Sequence, residues 1–223
     1  MSTDVTSPPP SETKGADAWS SFFGRLLPVA AIAGPALMLL GALCVAFGIQ
    51  TLPGDLDWIS EPEGMFGMFA VPFLFATWIV AGRTIARRAS RTGIAVTMIG
   101  TVAAAGWAFP FTIRLFSADL VLNDYDANAI NEVWEGDATV YSLVVFVFMT
   151  VMNFVVAITA GIAILRTRVA PIWAGIALIA FVPVFITAQA AYVAIEVTYP
   201  LAITLLLVGV VGVVRADRAA TSQ

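Results

Sequence analysis

From Leu26 to Ile49 the chain runs 24 residues without a charged side chain. As an α-helix this segment is about 36 Å long, enough to cross a hydrocarbon core of about 30 Å with some tilt. Apolar runs of similar length recur as far as Val214. This recurrence limits the fold more than any other feature, because a bilayer offers no water to the backbone and a crossing segment must satisfy its own N–H and C=O groups. Only 12% of the residues are charged, against about a quarter in a soluble domain, so lipid has to solvate much of the chain. The first run is too long for a signal-peptide hydrophobic region of about 7–15 residues. Bulky Leu43 before Cys44 does not suit a lipoprotein cleavage site, so the segment is expected to remain in the mature protein. Cys44, the sole cysteine, is read as a small buried hydrophobe.

The pattern predicts an all-α, polytopic transmembrane bundle of six spans, at about 26–49, 64–82, 93–116, 139–165, 171–191 and 201–214. They form one domain over residues 19–216. Ser60-Glu61-Pro62-Glu63 reads as a helix start, with a serine cap, a glutamate three residues on and proline in the first turn. The stretch from Pro171 to Val214 would be about 66 Å long as one helix, twice the membrane core, so it has to turn back once. The turn is expected around Tyr192 to Pro200, where Glu196, Thr198, Tyr199 and Pro200 interrupt the apolar run. Residues 1–18, which contain Ser7-Pro8-Pro9-Pro10-Ser11, are expected to be a disordered tail. Residues 117–138 read as an acidic loop and residues 217–223 as a second short tail.

Arg25, Arg83, Arg87, Arg88, Arg91, Arg166, Arg168, Arg215 and Arg218 fall on one side of a six-span arrangement, and only Arg114 lies near the other. The positive-inside rule makes that side the cytoplasm, which places both termini there and the 117–138 loop outside. Eleven of the fifteen acids gather on the outer side, Asp55, Asp57, Glu61, Glu63 and Glu196 among them. Ten arginines against one lysine, with much Ala, Val and Gly, suggest a GC-rich bacterial genome and hence a bacterial plasma membrane. The two cytoplasmic hairpins share a basic turn followed by Gly-Ile-Ala, at Gly93-Ile94-Ala95 and Gly175-Ile176-Ala177. So short a match does not establish an internal repeat.

Histidine is absent, which removes the usual haem ligand, the commonest zinc ligand and the default general base. Polar groups at membrane depth are then the natural candidates. Asn153 sits near the middle of span four, with Ala157 and Gly161 following on one face, and is expected to hydrogen-bond across a helix contact. In span three, Gly93, Thr97, Gly100, Ala104, Trp107, Phe111 and Arg114 form one stripe that should pack inside the bundle, unless Pro110 rotates the last turn. Arg114 at its outer end is expected to pair with Glu196 or with the acidic loop. Pro35, Pro72 and Pro183 read as ordinary membrane-helix prolines, and Trp58, Trp134 and Trp173 as interfacial anchors.

The sharpest motif is in the acidic loop. The segment from Asp124 to Glu135 resembles the twelve-residue calcium loop of EF-hands, with Asp124, Asp126, Asn128, Glu132 and Glu135 at liganding positions one, three, five, nine and twelve. It departs from that family at Ala129, where the invariant turn glycine stands, and at Asn131, where an apolar residue is usual. The resemblance implies a weak Ca²⁺ site at most, and a solvated acidic loop is the plainer reading. No other cofactor is expected.

The short basic turn Arg166-Thr167-Arg168-Val169-Ala170-Pro171-Ile172-Trp173-Ala174-Gly175 is similar to those of bacterial six-span integral membrane proteins. That resemblance implies the architecture and no activity. With neither histidine nor an acid in mid-membrane, catalysis and proton-coupled transport both lack their usual groups. The sequence therefore predicts a non-enzymatic membrane module acting through lipid or through a protein partner, a second copy included, and not through nucleic acid. A small-solute or ion transporter or channel is the alternative, and a membrane-embedded enzyme is a third reading that the missing groups disfavour.

Overall fold

The computed structural model describes residues 10–49, 61–126, 129, 140–190 and 194–221. Among these there is no strand. The helices are α1 (Pro10–Ala46), α2 (Glu61–Ala86), α3 (Ser90–Gly106), α4 (Ala108–Leu122), α5 (Val140–Thr167), α6 (Ile172–Ala190) and α7 (Ile195–Thr221). Five helical segments are long and apolar enough to cross a membrane, α3 and α4 counting together, and a shorter apolar helix covers Ile172–Ala188.

Helix bounds depart from expectation in ways the local chemistry explains. α1 begins at Pro10 and takes in residues 10–18, expected as tail. Proline lacks the N–H that a first helical residue could not pair anyway, and extending an established helix costs far less than nucleating one. α4 continues to Leu122 and buries Ser117 and Ala118, so the acidic loop starts six residues later than expected. Tyr199 and Pro200 lie inside α7, not in a turn, and the helix runs on to Thr221, which makes most of the expected C-terminal tail helical.

Span three is broken at Trp107, between α3 and α4. Pro110 has no N–H for the carbonyl of Gly106, and its ring crowds that carbonyl, so the helix parts one residue on. The Trp107 amide bonds back only three residues, to Ala104 O at 3.2 Å. Even so, Gly93, Gly100, Ala104 and Phe111 of the expected stripe are buried, because the break keeps the helix nearly in register.

α2 is the centre of the bundle, packing on α1, α3, α4, α5 and α7. Its residues Glu63, Gly67, Ala70, Leu74, Thr77, Ala81 and Thr84 recur at steps of four and three and are all buried. α7 presents a matching buried series, Tyr199, Ile203, Leu206, Val210, Val213 and Asp217. Small residues let the helices approach. A Cβ at Gly82 would lie 2.6 Å from the carbonyl oxygen of Gly93, and one at Gly161 would lie 2.7 Å from that of Gly175. The two Gly-Ile-Ala segments thus serve one purpose, with glycine at the tightest point of a helical hairpin. Ile94 and Ile176, the next residues, face outward at 57% and 55% exposure. The bundle exterior is apolar elsewhere as well, with Phe69, Met98 and Phe148 exposed.

Pro35 lies inside α1 and cannot bond to Ala31, four residues earlier. The hydroxyl of Thr77 replaces it, donating to Ala31 O at 2.7 Å within the buried α1–α2 contact.

Candidate functional site

Among the described residues two acids are buried in the bundle, and sequence reasoning singled out neither. Glu63, in the first turn of α2, is 2% exposed. Its Oε1 accepts a hydrogen bond from the Tyr199 hydroxyl of α7 at 2.8 Å, and its Oε2 lies 2.8 Å from Arg114 Nε of α4. Arg114 therefore pairs with Glu63 and not with Glu196, which is exposed on the first turn of α7. The reason is the helical stripe. Arg114 ends the packed face of α4, and Glu63 begins the packed face of α2, while Glu196 lies three residues from Tyr199 toward the outside of the bundle. The side chain of Arg114 is only 20% exposed, so the pair is more protected than a surface ion pair.

The second acid, Asp217 of α7, is 1% exposed. Arg83 grips it with both forks of the guanidinium, Nε donating to Oδ1 at 3.2 Å and Nη2 to Oδ2. Arg87 Nη2 donates to Oδ1 at 2.9 Å, and the buried hydroxyl of Thr84 adds a contact at 3.3 Å. Two bases on one carboxylate and a bidentate fork form a strong, directional clamp. Nearby, Arg88 donates to the carbonyl of Thr167 at 2.9 Å and ties the α2–α3 turn to the end of α5.

Because Glu63 meets Tyr199 and Arg83 meets Asp217, α2 and α7 run parallel. Twenty residues separate Glu63 from Arg83, about 30 Å of helix, and eighteen separate Tyr199 from Asp217, about 27 Å. The two clusters thus clamp opposite ends of one seam.

Asn153 behaves as expected of a packing amide. It is 5% exposed, its Oδ1 accepts from the Trp107 indole N–H at 2.7 Å and its Nδ2 donates to Ala103 O at 3.1 Å. It thereby holds α5 against the α3–α4 break. From Trp107 an aromatic chain leads to the Glu63 cluster: Phe185 of α6 lies edge-on to Trp107 at 5.6 Å between centroids and edge-on to Tyr199 at 5.9 Å. Asn153 and the Glu63–Arg114–Tyr199 group are thereby linked through Trp107 and Phe185 of α6.

Of the five residues of the calcium-loop motif, Asn128, Glu132 and Glu135 lie outside the described residues, as do Trp58 and Trp134. Asp124 and Asp126 are exposed. Asp124 serves to close a helix. With φ of +64° it follows the cap residue of α4, its N–H bonding to Val121 O at 3.1 Å while that of Tyr125 bonds to Leu120 O at 3.2 Å. This is the paired 5→2 and 6→1 pattern of a Schellman cap, normally closed by glycine and tolerated by aspartate. Among the described residues no group of three or more His, Cys, Asp or Glu could hold a metal ion.

Comparison with protein families, with curated proteins and with solved structures finds no match to the chain.

Proposed function

We propose that the chain is a six-span module of a bacterial plasma membrane, with both termini in the cytoplasm, which acts through lipid or protein partners and performs no chemistry of its own. The observation that carries this reading is the parallel α2–α7 seam. Its two charged clamps lie about 30 Å apart along the helices, the thickness of a hydrocarbon core, so each falls at a water interface and the apolar stretch between them at membrane depth. Parallel α2 and α7 also require an odd number of crossings between them, and α3–α4, α5 and α6 supply three in a six-span arrangement. The arginine-rich clamp is then the cytoplasmic one, as the positive-inside rule asks.

The buried acids are committed to bases and hydroxyls of neighbouring helices. Such pairing supports a rigid scaffold that works through its surfaces. Reporter fusions at Arg88, Arg168 and the C-terminus should read cytoplasm, and fusions at Asp57 and Asp126 the outside. A C-terminus on the outer side would overturn the arrangement.

Glu63 favours a second reading, a small-solute or ion transporter, because a carboxylate enclosed among helices is the kind of group that coupled carriers use. Uptake of solute by proteoliposomes, abolished in Glu63→Gln, would favour the transporter over the scaffold. Recovery of a crosslinked partner from native membranes, with no uptake, would favour the scaffold.

A further inference from the structure

Not all arginines at the basic end of the bundle are committed. Arg83 and Arg87 bind Asp217, and Arg88 binds a carbonyl. Arg168, in the α5–α6 turn, and Arg215, near the end of α7, are exposed and make no ion pair among the described residues. These two line one open groove of about 570 Å³, whose walls include Pro171, Ala216 and Ala219 and no acidic residue.

We infer that this groove binds the anionic phosphate headgroup of a membrane phospholipid. Two guanidiniums facing a cleft without a carboxylate give a local positive potential, and arginine engages phosphate oxygens through its planar fork. α6 begins at Ile172, directly after the groove-lining Pro171, so the positive end of a 19-residue helix adds to the same field. The small, apolar walls leave room for a headgroup without supplying a competing acceptor.

The start of α6 argues for lipid over free phosphate. Ile172, Trp173 and Ile176 of α6 are exposed at 51%, 43% and 55%, and Ile172 and Ile176 share one helical face. Ile172 directly follows the groove-lining Pro171, so this face would offer acyl chains an apolar track. Arg168 follows the last residue of α5 and Arg215 follows the apolar run of α7, which sets both at the depth of lipid phosphates. The inference rests on the membrane reading above, since it takes its ligand from a bilayer.

The test uses the purified full chain in neutral detergent, titrated with phosphatidylglycerol or phosphatidylcholine and followed by native mass spectrometry. The wild type should retain phosphatidylglycerol in preference to phosphatidylcholine. Each arginine near an anionic headgroup is worth about fivefold in affinity, so R168A/R215A should lose about 25-fold. R218A, which removes an exposed charge at the same end but outside the groove, should retain lipid as the wild type does. Equal retention of the two lipids by the wild type, undiminished retention by R168A/R215A, or displacement of the lipid by millimolar inorganic phosphate would each overturn the assignment. Flotation with lipid vesicles separates the two possible failures. A chain that does not float overturns the membrane reading and the groove together, whereas one that floats but shows no preference overturns the groove alone.

Discussion

Replacing Glu63 and Arg114 singly and together tests whether the two form a coupled ion pair. Removing one partner of a buried pair leaves the other charge uncompensated and costs about 3–5 kcal/mol. In R114M the widowed carboxylate is Glu63, 2% exposed and supported by the neutral hydroxyl of Tyr199 in place of a charge, so the loss should be near the upper end. In E63M the widowed guanidinium keeps one-fifth of its side chain exposed to water, which moves the loss toward about 3 kcal/mol. The double variant E63M/R114M removes both charges, fills the space with apolar side chains and leaves the Tyr199 hydroxyl without its acceptor, at about 1–2 kcal/mol. The double variant should therefore be more stable than either single one, with a coupling of about 3 kcal/mol or more. Equilibrium unfolding in bicelles by a denaturing detergent, followed by near-ultraviolet circular dichroism, measures all three. Single losses that add up to that of the double variant within about 0.5 kcal/mol would show that the groups do not interact.

Thr77→Val should lose about 1 kcal/mol in the wild type and little in a Pro35→Ala background, where Ala31 O regains its own backbone donor; equal losses in both would refute the replacement of that bond. Asn153→Ala should cost about 0.6–2 kcal/mol and shift Trp107 fluorescence, and in a Trp107→Phe background the cost should fall; an unchanged cost would place the amide's main contact elsewhere. Gly82→Ala, whose Cβ would collide with Thr97 and the Gly93 carbonyl, should destabilise by about 2 kcal/mol or more, whereas Gly24→Ala, with open space around it, should stay within about 0.5 kcal/mol in a thermal melt.

The all-helical class was legible from run length and low charge alone, because lipid leaves a spanning chain few alternatives. Asn153 was legible too, as an amide alone at mid-span has little to do but bond across a contact. Glu63 and Asp217 were missed for a common reason. Each lies at a helix end, where an acid normally meets water, and the expected ends were drawn at the first charge. The signal was nevertheless present: Glu63 continues the series Gly67, Ala70, Leu74 and Thr77, and Asp217 continues Ile203, Leu206, Val210 and Val213. A charge in step with a buried stripe belongs to the interior, and its partner should be sought on another helix. Arg114 ends such a stripe on α4, and its partner is the acid that opens the stripe on α2 rather than Glu196. Asp124 closes α4 through a backbone φ of +64°, a role that the spacing of its side chain from other acids does not announce.

The parallel seam also fixes an order of assembly. Arg83 and Asp217 are separated by 134 residues, and Glu63 waits 136 residues for Tyr199. At ribosomal speeds of about 5–20 residues per second, α2 is in place on the order of 10 s before α7 can reach it. During that interval Arg83 and Arg87 lack Asp217, and Glu63, which can already meet Arg114 of α4, lacks only Tyr199 among these partners. α1 also packs on α7, so the last helix closes the bundle against the first two. Truncation before Asp217 would therefore leave α2 packed on its earlier neighbours with Arg83 and Arg87 unmatched, a state that membrane proteases could distinguish from the finished protein.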